Sequence, residues 1–250
     1  DKPNLSVSST EVVEGGYAVF NIQLSNPSTQ DVTFDLTPKE GTATQDDYSS
    51  IVEVSYDGGV TWTPASEAII PAGKTQILAR VQTTQDDIDE LVEKFTLTAD
   101  ITSGNTTNVS STGTASILDN DGEPQIVISD SSVNEEDGLL TFVVSLSNPS
   151  SNVVTVNYVT ADGTAIAGSD YVSSTGTITF APGETSKIIT VAVLDDNVFE
   201  NPESMYVNLL NPINSTIADA QGEGRILDTG TNSDIPTLTI SDSSVTEGDY

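Results

Sequence analysis

Ile117-Leu118-Asp119-Asn120-Asp121-Gly122-Glu123-Pro124 divides the chain. Three consecutive side chains with oxygen donors, then glycine, an acid and proline, are incompatible with a buried strand. Charged and amide groups lose their hydration there, and proline lacks the N–H that a ladder needs. The stretch reads as a loop that ends one strand-rich segment and opens the next. Its crowded oxygens suit a hard cation.

Outward from this loop, both flanks repeat. Leu24-Ser25-Asn26-Pro27-Ser28 returns as Leu146-Ser147-Asn148-Pro149-Ser150, and Phe20 returns as Phe142, both 122 positions on. Ser129-Asp130-Ser131-Ser132-Val133 returns 112 positions on as Ser241-Asp242-Ser243-Ser244-Val245. Such repetition implies tandem modules. The expected divisions are 1–123, 124–235, and 236–250 as the first strand of a third module, with both ends cut from a longer protein.

Within each module, apolar and polar residues alternate over short runs rich in Val, Ile, Thr and Phe. In the first these are Leu5 to Ser9, Ala18 to Ser25, Val32 to Thr37, Gln76 to Thr83, Lys94 to Asp100 and Thr114 to Leu118. In the second they are Gln125 to Ser129, Leu140 to Ser147, Val153 to Thr160, Thr177 to Phe180, Lys187 to Leu194, Met205 to Leu210 and Gly224 to Leu227. About seven strands in roughly 110–120 residues predict an all-β fold of two-sheet sandwiches. The first module adds 51–63, a hairpin around Asp57-Gly58-Gly59 that carries Trp62, the only Trp in the chain. That ring either covers the hairpin or forms a carbohydrate platform, and packing is the commoner use of a large aromatic side chain.

Composition removes whole classes of function. With 38 acidic and 7 basic residues the net charge is -31, which repels nucleic acid and anionic membrane alike. There is no Cys and no His. Disulfides, Cys/His zinc sites and Ser-His-Asp or Cys-His catalysis are therefore excluded. No apolar run approaches the roughly 18 residues of a membrane span.

The acids are not spread evenly. With strands lettered A to G and reversing in turn, the A–B, C–D and E–F loops and the exit from G lie at one pole. In the first module these hold Glu14; Glu40; Asp86, Asp87, Asp89 and Glu90; then Asp119 and Asp121. In the second they hold Glu135 and Glu136; Asp162; Asp195, Asp196 and Glu200; then Asp228. Two carboxylates ~4 Å apart repel by about 4 kcal/mol at an effective dielectric of ~20. A divalent cation removes that cost. Calcium, which takes six to eight oxygens in irregular cages, fits a donor set without nitrogen or sulfur.

The second module resembles the Calx-β domain along nearly its whole length. The resemblance is carried in order by Ala161-Asp162-Gly163-Thr164-Ala165, Ser169-Asp170-Tyr171, Gly176-Thr177-Ile178-Thr179-Phe180, Pro182-Gly183-Glu184-Thr185 and the run Asp195-Asp196 through Glu200 to Glu203. The first module is similar but divergent, with Glu40-Gly41-Thr42-Ala43, Asp47-Tyr48, Pro71-Ala72-Gly73-Lys74-Thr75, and Asp86-Asp87 through Glu90 and Glu93. The resemblance implies seven-strand immunoglobulin-like sandwiches that bind calcium at one pole. The implied ligands are Glu14, Glu40, Asp86, Asp87, Glu90, Asp119 and Asp121 in the first module. In the second they are Glu135, Asp162, Asp195, Asp196, Glu200 and Asp228. The second module ends Asp228-Thr229-Gly230, without the terminal acidic run, so fewer ions are expected there; Asp234 is a substitute further along.

The family occurs in sodium–calcium exchangers, matrix-associated eukaryotic proteins and giant bacterial surface adhesins. Absence of Cys, extreme acidity, abundant Ser, Thr and Asn, and tandem copies resemble the RTX-type adhesins. The expected function is a non-catalytic, calcium-rigidified stalk in a secreted, cell-anchored adhesin. Its partners are then the neighbouring modules of a monomeric chain, with any glycan or cell-surface ligand bound elsewhere in the full protein. The alternatives are a calcium-sensor pair of a membrane transporter and a lectin-like module.

Overall fold

The computed structural model describes residues 1–196, 198–228 and 238–247. These form two compact units. The first comprises Asp1–Glu123 and takes in Asn148–Asn152; the second comprises Pro124–Ser147 and the described residues from Val153 onward.

The first unit contains β1 (Leu5–Val7), β2 (Thr10–Val13), β3 (Tyr17–Leu24), β4 (Val32–Glu40), β5 (Tyr48–Ser55), β6 (Thr63–Pro64), β7 (Glu67–Ile70), β8 (Gln76–Thr83), β9 (Glu93–Ser103) and β10 (Ser110–Leu118). One sheet runs β1-β3-β8-β5-β6 and the other β2-β10-β9-β4-β7. The opening strand is thus shared: β1 pairs antiparallel with β3, then the chain crosses and β2 runs parallel to β10. Gly113 permits that crossing, since a Cβ there would lie 2.1 Å from the Ser8 carbonyl oxygen. Counting β1 and β2 as one split strand gives the seven of an immunoglobulin-like sandwich, with β5 and β6 added.

Alternation along β3 turns Ala18, Phe20, Ile22 and Leu24 inward, all buried. They meet Phe34, Leu97 and Phe95 from the facing sheet. Phe95 meets Phe20 edge-on, with centroids 6.1 Å apart, and stacks on Tyr48 at 4.2 Å. Such ring pairs contribute about 0.5–1.5 kcal/mol beyond the area they bury.

The insert is clamped at its turn. The Asp57 carboxylate accepts the Val60 and Thr61 N–H groups at 3.0 and 2.9 Å and the Ser55 hydroxyl at 2.8 Å. These bonds, those from Thr61 above all, hold its pKa well below the usual carboxylate range. Trp62 donates its indole N–H to the Gly59 carbonyl, and its ring lies over the Arg80 guanidinium at 4.3 Å. Tyr17 stacks on the same guanidinium at 3.9 Å, and Arg80 pairs with Glu53 at 2.7 Å. The indole is thus spent on a cation of its own unit.

The second unit contains β11 (Gln125–Ile128), β12 (Ser131–Asn134), β13 (Leu139–Leu146), β14 (Val154–Asp162), β15 (Thr175–Phe180), β16 (Ser186–Ala192), β17 (Glu203–Ile213), β18 (Thr216–Ile217) and β19 (Gln221–Leu227). A 3-10 turn spans Glu135–Asp137. The sheets run β16-β13-β11-β18 and β12-β19-β17-β14-β15. The split opening strand recurs, with β12 parallel to β19. Its core is built on Phe142, Phe180, Tyr171, Met205 and Val207. Among the described residues, no helix is long and apolar enough to cross a membrane.

Residues 238–247 carry no strand, and the side chains of Leu238, Ile240 and Val245 are exposed. Of the segment 236–250 expected to open a third module, 236–237 and 248–250 lie outside the described residues, as does Asp234.

Candidate metal centre

Each acidic pole is assembled from strand ends. In the first unit, Glu14 follows β2, and its N–H donates to the Leu118 carbonyl at the end of β10. Asp86 and Glu90 sit in the loop after β8, Glu93 opens β9, and Asp47 immediately precedes β5. Main-chain bonds fix these loops. Asp86 accepts the Ile88 N–H at 2.8 Å, and Thr84 donates its N–H to the Asp47 carbonyl at 2.8 Å. Asp119 works through both oxygens, accepting the Glu90 N–H at 3.2 Å and the Asp121 N–H at 3.1 Å.

Three acidic triads result among the described residues: Glu14, Asp86 and Asp121; Asp47, Glu90 and Glu93; and Asp170, Glu200 and Glu203. Within each, one oxygen from every carboxylate lies within 4.8 Å of the others. The second and third triads are repeats, since Asp47-Tyr48 returns as Asp170-Tyr171 and Glu90 and Glu93 return as Glu200 and Glu203.

The triads are starved of counter-charge. Burial and the facing acids push Glu14, Glu90, Glu93 and Glu203 each up to about 7. Burial comes first in every case. Behind it stand Asp121 for Glu14, Asp47 for both Glu90 and Glu93, and Asp170 for Glu203. Among the described residues four buried side-chain oxygens have no hydrogen-bond partner, and three of them are Asp121 Oδ2, Glu93 Oε2 and Glu203 Oε2. One falls in each triad. A buried carboxylate oxygen without a donor is expensive, and an all-oxygen donor set is what a hard cation requires. The residues therefore fit such an ion.

The candidates named from sequence divide by position. Glu14, Asp86, Asp121, Glu90 and Glu200 lie in triads. Asp119 and Asp228 brace their loops, Asp228 accepting the Glu200 N–H at 2.9 Å. Glu135 is buried and accepts the Asp196 N–H at 3.0 Å; burial, with the charges of Asp196, Glu200 and Asp195 behind it, pushes its carboxyl up. Asp196 also accepts the Val198 N–H at 2.6 Å. Asp87 and Asp195 are exposed and outside the triads.

Glu40 and Asp162 also lie outside them. Each closes its strand just before a glycine that packs on the neighbouring strand. A Cβ on Gly41 or Gly163 would come within 2.4 Å of the Lys94 or Ser204 carbonyl oxygen. Asp162 accepts the Tyr171 hydroxyl at 2.6 Å and the Ala167 N–H at 2.9 Å, which lowers its pKa and ties the turn to the core. Tyr171 rises to about 12, through burial first and this bond second. The triad acid is instead the Asp preceding the tyrosine. Asp47 is held by the Thr44 N–H and Asp170 by the Ile166 N–H, each at 2.6 Å. Asp47, Asp170, Glu93 and Glu203 were absent from the ligand set inferred from sequence. Their signal was there, in the repeated Asp-Tyr pair and the repeated Glu-x-x-Glu spacing.

Fold and site together define a class: tandem β-sandwich modules whose chemistry is concentrated in acidic loops at strand ends. The chain belongs to the Calx-beta domain family, whose model matches residues 2–123 and again 119–243. It is 49% identical over 67 residues to sodium/calcium exchanger 2 of Rattus norvegicus, covering 27% of this chain and 7% of the exchanger. To sodium/calcium exchanger 1 of Canis lupus familiaris it is 48% identical over 71 residues, covering 28% and 7%. The chain thus spans under a tenth of the length of these curated relatives. Among solved structures it is similar to the apo-form Calx CBD1 domain, with 31% identity, a TM-score of 0.41, and coverage of 43% of this chain and 98% of that one. It is also similar to CBD12 from CALX1.2, with 15% identity, a TM-score of 0.40, and coverage of 90% and 99%.

Proposed function

We propose that both units bind calcium through the three triads, and that the ion serves as a structural staple in a stalk of a secreted, surface-anchored bacterial adhesin. The observation that carries calcium binding is the unpartnered buried oxygen in each triad, with glutamates raised to about 7 around it. Calcium supplies concentrated positive charge and tolerates irregular oxygen cages. The chain's own residues do the rest. Main-chain N–H groups of Thr44, Ile88, Ile166 and Glu200 orient carboxylates of the triads and their braces, so that little ordering remains when an ion arrives. Membership of an adhesin is supported by the lack of Cys, the charge of -31 and the tandem repetition. We assign the acids no catalytic role.

A second interpretation, a calcium-sensor pair of a membrane transporter, is favoured by the similarity to the exchangers. Affinity separates the two. Calcium titration calorimetry with a matched melt in chelator tests both. Binding at about 10⁻⁴–10⁻³ M with a large rise in melting temperature supports a stalk in a calcium-rich exterior. Micromolar or tighter binding supports the sensor. No binding and no melting shift refutes the calcium assignment.

A further inference from the structure

The two units differ at one sheet edge. In the first, β8 is paired on both sides, by β3 and by β5, with Val52 opposite Val81, Glu53 opposite Arg80 and Val54 opposite Ala79. In the second, the counterpart β16 pairs, among the described strands, with β13 alone and ends its sheet. What remains of a β5 there is Tyr171, which bridges to Val193, and Val172, whose N–H donates to the Ala192 carbonyl. The chain then leaves for the other sheet, where Ser174 accepts the Thr160 N–H.

The register shows which backbone groups face the open edge. The Leu146 N–H donates to the Thr185 carbonyl, and bonded pairs alternate along an antiparallel ladder. Lys187, Ile189 and Val191, opposite Val144, Phe142 and Leu140, therefore bond inward. Ile188 and Thr190 turn their N–H and C=O groups outward, in the row that Ala192 continues. The Ile188 side chain is 59% exposed. An edge of this kind is a template for another strand.

We propose that the β16 edge is a docking site for an extended segment of a partner protein, added antiparallel in the place that β5 takes in the first unit. The intramolecular occupant states the chemistry. Val52 and Val54 are buried at alternate positions, so the partner carries aliphatic residues with that period. Glu53 is matched to Arg80, but Thr190 stands at that point in β16. An acid there has no cation opposite it, and the chain as a whole is strongly acidic, so the partner's residue is neutral or basic. The chain's own net charge of -31 disfavours pairing of two identical copies.

The test uses the full chain, whose β8 edge is already filled, and a synthetic peptide copying residues 49–56 with E53K. Amide chemical shifts are followed during titration. The expected result is saturable one-site binding, with shifts centred on Ile188 and Thr190 and slowed exchange of their amides. The same peptide with its native glutamate binds about two- to fivefold more weakly. A peptide N-methylated at the amides that face β16 does not bind. Thr190→Pro, which removes an outward N–H, abolishes binding while leaving the fold; the N-methylated control leaves the protein untouched and decides the matter if that variant unfolds. Absence of saturation, equal binding of the N-methylated peptide, shifts elsewhere, or self-association through 186–192 overturns the proposal.

Discussion

Glu90 is the most crowded acid in the first unit. It shares a triad with Asp47 and Glu93 and also feels Asp86, Asp119 and Asp121. Three carboxylates with oxygens within 4.8 Å of each other repel by about 3.5 kcal/mol per pair at an effective dielectric of ~20. Fully ionised, three pairs amount to about 10 kcal/mol before protons and loop movement relieve them. Glu90→Gln removes two of the three pairs. It therefore acts with opposite signs in the two states. Without metal, where proton uptake has already relieved most of the repulsion, the variant gains about 1 kcal/mol and melts about 4 °C higher. With calcium at a hundred times its dissociation constant, the wild type gains about 2.7 kcal/mol, or about 10 °C. Losing one charged ligand costs about 1.5–3 kcal/mol, a tenfold or greater loss of affinity. The calcium gain then falls to about 1.4 kcal/mol or less. Paired scanning-calorimetry melts in chelator and in calcium measure both numbers. A variant that melts lower in both states, with an unchanged calcium increment, would show that Glu90 acts through packing, and the electrostatic account fails.

The raised glutamates also set a pH window. Glu14, Glu90, Glu93 and Glu203 move from an ordinary 4.5 to about 7 on folding. The stability they contribute is thus fully present below about 4.5 and lost as pH rises through about 7; metal-free melting temperatures decline across that interval, and calcium flattens the decline. Asp162→Asn should leave calcium stoichiometry unchanged while lowering the melting temperature, and Tyr171→Phe should cost about 1–2 kcal/mol for the same lost bond; a lost ion in either variant assigns Asp162 to the site. Gly41→Ala and Gly163→Ala force a Cβ to within 2.4 Å of a carbonyl oxygen and should each destabilise by about 1–3 kcal/mol in denaturant melts. Asp121→Asn should lower the number of ions bound by the chain without changing the unfolding slope, as read by calorimetry and urea titration.

The sandwich was visible in the sequence because half-buried strands write a period of two, and β3 and β13 do so over eight residues each. Short strands were not: β2 and β12, which exist because the opening strand changes sheets, have four residues each and little alternation to show. The same contrast holds at the poles. Clustering of Glu14, Asp86, Glu90 and Asp121 followed from loop order alone. The choice among neighbouring acids did not, because it depends on how far a turn carries the chain. Gly41 and Gly163 press their turns onto the next strand, which leaves Glu40 and Asp162 outside and delivers Asp47 and Asp170. Strand period does not encode that distance.

The stack of Trp62, Arg80 and Tyr17 makes the chain optically asymmetric. Its single indole belongs to the first unit, while the described aromatic residues of the second unit are tyrosines and phenylalanines. Emission excited selectively from tryptophan therefore follows one unit, and a signal from the whole backbone follows both. A difference between the two traces during heating or chelation separates the unfolding of the halves without a label or a cut.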